Sequence, residues 1–241
     1  MLILTARQLA TSGHKLYPTH IPISGLQRTI LAAGSAVTAL RNPLRGDMVA
    51  ALGETTGYYF LKRMRDQMLQ SDTGRQILRE RPAIHTSSLN FDELRATCAP
   101  GTFGYAYVSW LDAEGVTPDT RCPVHFVDDE ELAYVIKRYR EIHDFFHTLT
   151  GLGVTVEEEL ALKWFEWVQT GLPMTALSSL FGPLQLSWHE RRRLYGTFVP
   201  WALQCGASCT PLMNVYFEKQ FHTPLGELRK SLGIIPAPPL H

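Results

Sequence analysis

Residues 126–149 read Phe126-Val-Asp-Asp-Glu-Glu-Leu-Ala-Tyr-Val-Ile-Lys-Arg-Tyr-Arg-Glu-Ile-His-Asp-Phe-Phe-His-Thr-Leu149, and this stretch decides the fold class. Its aspartates can cap free backbone N–H groups, and the carboxylates that follow favour the positive end of a helix dipole. Leu132, Val135, Ile136, Tyr139, Ile142 and Phe146 then recur at helical spacing, which predicts a helix up to Leu149. Gly151-Leu-Gly153 breaks it, and a second helix is predicted over residues 156–169.

Outward from this pair, helical signals dominate. Residues 25–40 form a small-residue helix stopped by Asn42-Pro43. Residues 47–57 suggest a short helix with a glycine-bounded turn, and residues 58–70 a helix with Leu61, Met64 and Met68 on one side. A further helix over residues 73–80 ends at Arg81-Pro82, and residues 83–127 are rich in turn formers around one short helix, 102–111. Helices over 188–204 and 212–232 complete the set before Pro236, Pro238 and Pro239. Without internal repeats and with few alternating runs, the expected class is all-α. The predicted organisation is one helical domain over residues 18–241, with a metal site between two consecutive helices, preceded by an N-terminal tail, residues 1–17.

Composition removes several function classes. Twenty-three basic residues balance twenty-three acidic ones, which argues against non-specific nucleic-acid binding. Cys98, Cys122, Cys205 and Cys209 do not have zinc-ribbon spacing and read as reduced, mostly buried thiols. Residues 1–46 contain no Asp or Glu but carry Arg7, Lys15, Arg28, Arg41 and Arg45, the bias of a mitochondrial presequence, here a short or residual one. No apolar run is long enough to span a bilayer. Residues 167–188 have no Asp, Glu, Lys or Arg, yet Gly171, Pro173, Gly182 and Pro183 interrupt them. They read either as buried core or as an apolar patch meeting lipid, with Leu177, Leu180 and Phe181 as the contacts.

The chemistry concentrates at His143-Asp144-Phe-Phe-His147. Histidines at i and i+4 share one side of a helix, His143 within the apolar stripe and His147 at its edge, with Asp144 just outside. Two imidazoles beside a carboxylate suit a divalent metal. The pattern resembles the His-Glu-x-x-His metalloprotease helix, but Asp144 is a methylene shorter than that general base. Glu157, Glu158 or Glu159 can supply a further ligand, and periodicity does not choose among them. Glu159 lies with Lys163 and Glu166 on a side that reads as polar. A His-Asp phosphohydrolase site needs an aspartate far downstream, and no Asp follows Asp144.

With these residues in hand, the chain resembles the coenzyme Q biosynthesis protein 4 family. That family carries His-Asp-x-x-His followed by eleven residues and a Glu, met here by His143, Asp144, His147 and Glu159. Asn42-Pro-Leu-Arg-Gly-Asp47, Leu52-Gly-Glu-Thr-Thr-Gly57, Phe126–Ile136, Lys163-Trp-Phe-Glu166, Gln169-Thr-Gly-Leu-Pro173 and Val199-Pro-Trp-Ala202 extend the resemblance over about residues 18–236. The departure is a presequence shorter than the family's. The resemblance implies a peripheral protein on the matrix side of the mitochondrial inner membrane, working among other ubiquinone-biosynthesis proteins in a multi-subunit complex. A homo-oligomer is compatible with it. It implies Zn2+ held by His143, Asp144, His147 and Glu159, with Fe2+ or Mn2+ as alternatives for such ligands. The implied reaction is C1-decarboxylation of 4-hydroxy-3-methoxy-5-polyprenylbenzoate. Its rivals are oxidative decarboxylation with C1 hydroxylation and a non-catalytic lipid-binding scaffold.

Overall fold

A computed structural model of the chain describes residues 14–42 and 45–239. Most of the expected tail, residues 1–13, and with it the presequence reading, lies outside the described residues, as do Pro43 and Leu44. Twelve α-helices follow in order among those described. They are α1 (Gly25–Arg41), α2 (Gly46–Thr56), α3 (Tyr58–Leu69), α4 (Asp72–Glu80), α5 (Phe91–Thr97), α6 (Phe103–Glu114), α7 (Glu130–Thr150), α8 (Val156–Thr170), α9 (Pro173–Phe181), α10 (Trp188–Arg193), α11 (Val199–Ser208) and α12 (Leu225–Leu232). No strand occurs among these residues, only an isolated bridge between Thr102 and Pro224. The fold is all-α.

The central helix is α7. Asp129 caps it by accepting the Leu132 N–H at 3.0 Å, and Glu130 and Glu131 occupy its first turn. Gly151, at φ 80°, closes it by donating its N–H to the His147 carbonyl at 2.8 Å. Every residue from Leu132 to Thr150 is buried except Lys137. The one-sided apolar stripe expected from the sequence is therefore corrected: α7 is enclosed on all sides. Its polar side chains reach inward partners instead of water. Arg138, fully buried, pairs with Glu218, and Arg140 reaches Glu54 at 2.8 Å and the Ala50 carbonyl at 2.9 Å.

Helices α3, α4 and α6 pack against α7, while α9 and α11 flank α8. Phe103, Tyr107, Phe145, Phe217 and Phe221 form an aromatic cluster between α6, α7 and the C-terminal segment. Burying each ring stabilises the fold by roughly 1.5–3 kcal/mol. Gly104 permits the closest approach there, since a Cβ would lie 2.9 Å from the Phe221 carbonyl oxygen.

Three local expectations change. The helix predicted over 212–232 is confined to α12, preceded by 3₁₀ turns at Leu212–Asn214 and Phe217–Lys219. Backbone bonds from Phe103 to Thr223, from Gly104 to Phe221 and from Leu225 to Gly101 hold the intervening chain in a non-helical turn, and Pro224 starts the helix anew. The helix over 188–204 is divided by a π turn, Leu194–Phe198, just before Pro200, whose missing N–H a widened turn accommodates. Helix α5 arises within the turn-rich region, capped by Asn90 through the Glu93 N–H at 3.1 Å.

The uncharged segment divides between the two readings made of it. Leu172, Met174, Ser179 and Leu186 are buried, whereas Leu180, Phe181, Leu184 and Trp188 are exposed. Among the described residues no helix is long and apolar enough to cross a membrane. All four cysteines are free thiols, with Cys98, Cys205 and Cys209 buried and Cys122 half-buried.

Candidate metal centre

One turn of α7 separates His143 from His147, and their Nε2 atoms face each other at 3.2 Å. Glu159, from the first turns of α8, reaches between them. One carboxylate oxygen lies 3.3 Å from His147 Nε2 and the other 3.9 Å from His143 Nε2. The three side chains offer one ligand atom each within 4.8 Å of one another. The short Gly151–Thr155 connection makes this possible, with Thr155 capping α8 through the Glu158 N–H at 3.3 Å.

The opposite edge of each ring is already committed. His147 Nδ1–H donates to the Leu152 carbonyl at 3.1 Å, and the Trp110 indole stacks on its ring at a centroid distance of 4.8 Å. His143 Nδ1–H donates to Glu166 at 2.5 Å. In neutral rings with protonated Nδ1, both Nε2 atoms carry bare lone pairs, and at 3.2 Å those repel. A cation between them and the Glu159 carboxylate removes the repulsion, so the donor set fits a divalent metal. Burial, then the nearby Lys163 charge, lowers the His143 pKa, which keeps the ring in the ligand form.

Glu159 is the glutamate that the fold selects. Glu157 is buried against Arg193, and Glu158 accepts from the Gly153 N–H at 2.9 Å and from the Thr155 hydroxyl at 2.6 Å. Burial raises the Glu159 carboxyl, but when the rings are protonated a His147 hydrogen bond and the His143 and Lys163 charges outweigh it and hold it well below the usual carboxylate range.

Asp144 is placed differently. Its carboxylate pairs with Arg121 instead of joining the His143, His147 and Glu159 group, and its buried Oδ2 has no hydrogen-bond partner.

Glu166 was not anticipated. Its expected polar surroundings are corrected: it is fully buried and accepts from His143, from the Tyr139 hydroxyl at 2.9 Å and from Lys163 Nζ at 2.7 Å. Burial raises its carboxyl, but Lys163 and His143 outweigh that effect and hold it at about 2. A signal existed, since Glu166 lies two turns after Glu159 on the same side of α8.

The site opens on a cavity of about 490 Å³. His143, Glu159, Lys163, Tyr139, Arg121 and Arg140 form its polar end, and apolar side chains of α1, α2 and α9, such as Leu40, Val49, Met174 and Leu177, form the rest. Of the three lipid-contact candidates, Leu177 lines this cavity, while Leu180 and Phe181 stand on the surface of α9, 50% and 44% exposed.

Comparison with known proteins bears on this arrangement. Residues 17–238 match the family model described as Coenzyme Q (ubiquinone) biosynthesis protein Coq4. The mitochondrial ubiquinone biosynthesis protein COQ4 of Coprinopsis cinerea is 49% identical over 234 residues, covering 97% of this chain and 79% of that protein. The mitochondrial COQ4 homolog of Bos taurus is 53% identical over 223 residues, covering 92% of this chain and 84% of that protein. A crystal structure of a protein from Nostoc punctiforme PCC 73102, provisionally assigned to ubiquinone biosynthesis, superposes with a TM-score of 0.68 at 19% identity. It covers 85% of this chain and 97% of its own, a likeness of fold alone.

Proposed function

The chain belongs to the Coq4 family of coenzyme Q (ubiquinone) biosynthesis proteins, and from that membership we propose that it removes the C1 carboxylate of a 4-hydroxy-3-methoxy-5-polyprenylbenzoate. The observation that carries this reading is the two-ended cavity, polar and charged at His143, Glu159, Arg121 and Lys163, apolar elsewhere. An aromatic acid with a prenyl tail has the same division.

His143, His147 and Glu159 would hold the metal, Zn2+ by preference over Fe2+ or Mn2+, and Asp144 would join them through the Oδ2 atom that lacks a partner. When bound, zinc would supply Lewis acidity toward a substrate oxygen, whereas iron would also supply redox chemistry for an O2-dependent oxidative route. The protein's own groups do the rest. The apolar wall excludes water and orients the ring through its tail. Loss of CO2 leaves its bonding electrons on the ring, and C1 then needs a proton. Lys163 and Tyr139 carry N–H and O–H groups on this wall, both hydrogen-bonded to Glu166. Purified protein loaded in turn with Zn2+, Fe2+ and Mn2+, in air-saturated buffer, should release CO2 from a geranyl analogue of the acid, leaving hydrogen at C1 or, where O2 serves as oxidant with a redox-active metal, hydroxyl. Binding of the analogue without turnover under all three metals would leave only the scaffold reading.

The relatives' mitochondrial names support a mitochondrial location, and a place on the matrix side of the inner membrane, among other ubiquinone-biosynthesis proteins, is part of the same proposal. Peripheral contact with lipid would run through α9, where Leu180 and Phe181 are exposed beside the cavity-lining Leu177. Leu180→Glu with Phe181→Glu should abolish co-sedimentation with liposomes while metal content and melting temperature hold. Unchanged co-sedimentation rejects this patch.

A further inference from the structure

Besides the Asp144 oxygen given to the metal above, two buried groups near the cavity's polar end that can donate a hydrogen bond have no partner: Arg121 Nε and the Tyr107 hydroxyl. Tyr107 packs against Phe145, the neighbour of Asp144, and its hydroxyl feels the charges of both Asp144 and Arg121. Buried polar atoms left without partners are uncommon, and two donors gathered in one place mark a position where an acceptor belongs.

The three cations of the cavity wall are not equivalent. Arg140 is committed to Glu54 and to the carbonyls of Ala50 and Cys122. Lys163 is committed to Glu166. Arg121 reaches Asp144 through Nη2, leaves Nε unpaired, and is one-third exposed where it lines the cavity. A guanidinium with one nitrogen engaged still offers the two-pronged edge that matches a planar carboxylate.

Charge adds a condition. With their direct partners, the charged side chains of this wall are Arg121, Arg140 and Lys163 against Glu54, Asp144, Glu159 and Glu166, three positive and four negative. That excess repels an acid, and one divalent cation reverses it.

We propose that Arg121 is the residue that recognises the acid, receiving the carboxylate of an aryl acid in the cavity, and that it does so once a divalent cation has offset the negative excess. The identity of the acid rests on the decarboxylase reading above; the recognition itself rests on Arg121 and its unpaired neighbours. Arg121 is then what separates substrate from decarboxylated product, which lacks the group it grips.

The test is binding. Zn2+-loaded protein and EDTA-stripped protein are titrated with the geranyl analogue of the acid and with its C1–H counterpart, followed by calorimetry. Loaded wild-type protein should prefer the acid by at least about tenfold, the scale of a charge-assisted hydrogen bond. Stripped protein should lose the preference. Arg121→Met should lose it too, with unchanged affinity for the C1–H counterpart. Arg121→Lys keeps a positive charge beside Asp144 and so guards against misfolding, yet without the fork it should lose most of the preference. A full preference in Arg121→Lys, or in stripped protein, overturns the proposal. If wild-type protein meanwhile releases CO2, the decarboxylase reading survives that failure. A loaded wild type without preference for the acid also overturns the Arg121 role, and the turnover assay then decides the decarboxylase reading independently.

Discussion

Glu166→Leu should destabilise the protein by about 3–5 kcal/mol, the range for removing one partner from a buried charged pair. The side chain is fully buried and accepts from His143 Nδ1, the Tyr139 hydroxyl and Lys163 Nζ. Leucine fills the volume and leaves all three donors without an acceptor. Glu166→Gln separates folding from function. It keeps the shape and one acceptor oxygen, so the fold should survive, but it removes the charge that fixes the His143 tautomer and ring orientation. Metal affinity should then fall by about 10–100-fold, as when the partner behind a ligating histidine is lost. Melting curves and a metal titration of both variants check this. Wild-type metal affinity in Glu166→Gln would falsify the role given to the His143–Glu166 bond.

His147→Ala should remove a ligand and lower bound metal with little loss of helix content, because alanine is the better helix former at that position. Elemental analysis showing unchanged stoichiometry would sink the ligand assignment. Glu159→Ala should likewise cost at least about tenfold in metal affinity. Glu158→Ala provides the contrast. That carboxylate is tied to the Gly153 N–H and the Thr155 hydroxyl, away from the histidines, so its loss should leave metal content unchanged. Equal behaviour of the two glutamate variants would show that the wrong carboxylate had been assigned.

These variants also mark where local sequence stops informing. The spacing of His143 and His147 is a covalent fact of a helix, and the helix was legible because its cap, charge order and apolar period agree. Residues 212–232 were misread for the complementary reason. Leu212, Met213, Val215, Phe217 and Phe221 are buried, but each is held by contacts with distant residues, and periodicity cannot see bonds from Phe103 to Thr223 or from Gly104 to Phe221. Gly104 and Pro224 carry that constraint, and neither announces its partner.

By itself, then, the sequence determined the all-α class, the bounds of most helices and the histidine pair, while the choice of Glu159 among three glutamates came from the resemblance to the family's motif. Only the tertiary structure decided which polar groups are buried and whom they meet. It turned Glu166 from a surface carboxylate into the anchor of His143, set Asp144 against Arg121, and divided the uncharged segment between core and surface. The physical reason is one of range. Caps, turns and helical periods are decided within a few residues of chain, whereas burial and ion pairing depend on segments brought together across 23 residues for Arg121 and Asp144 and 90 for Arg140 and Ala50. No local pattern encodes which of several charges the packing will enclose.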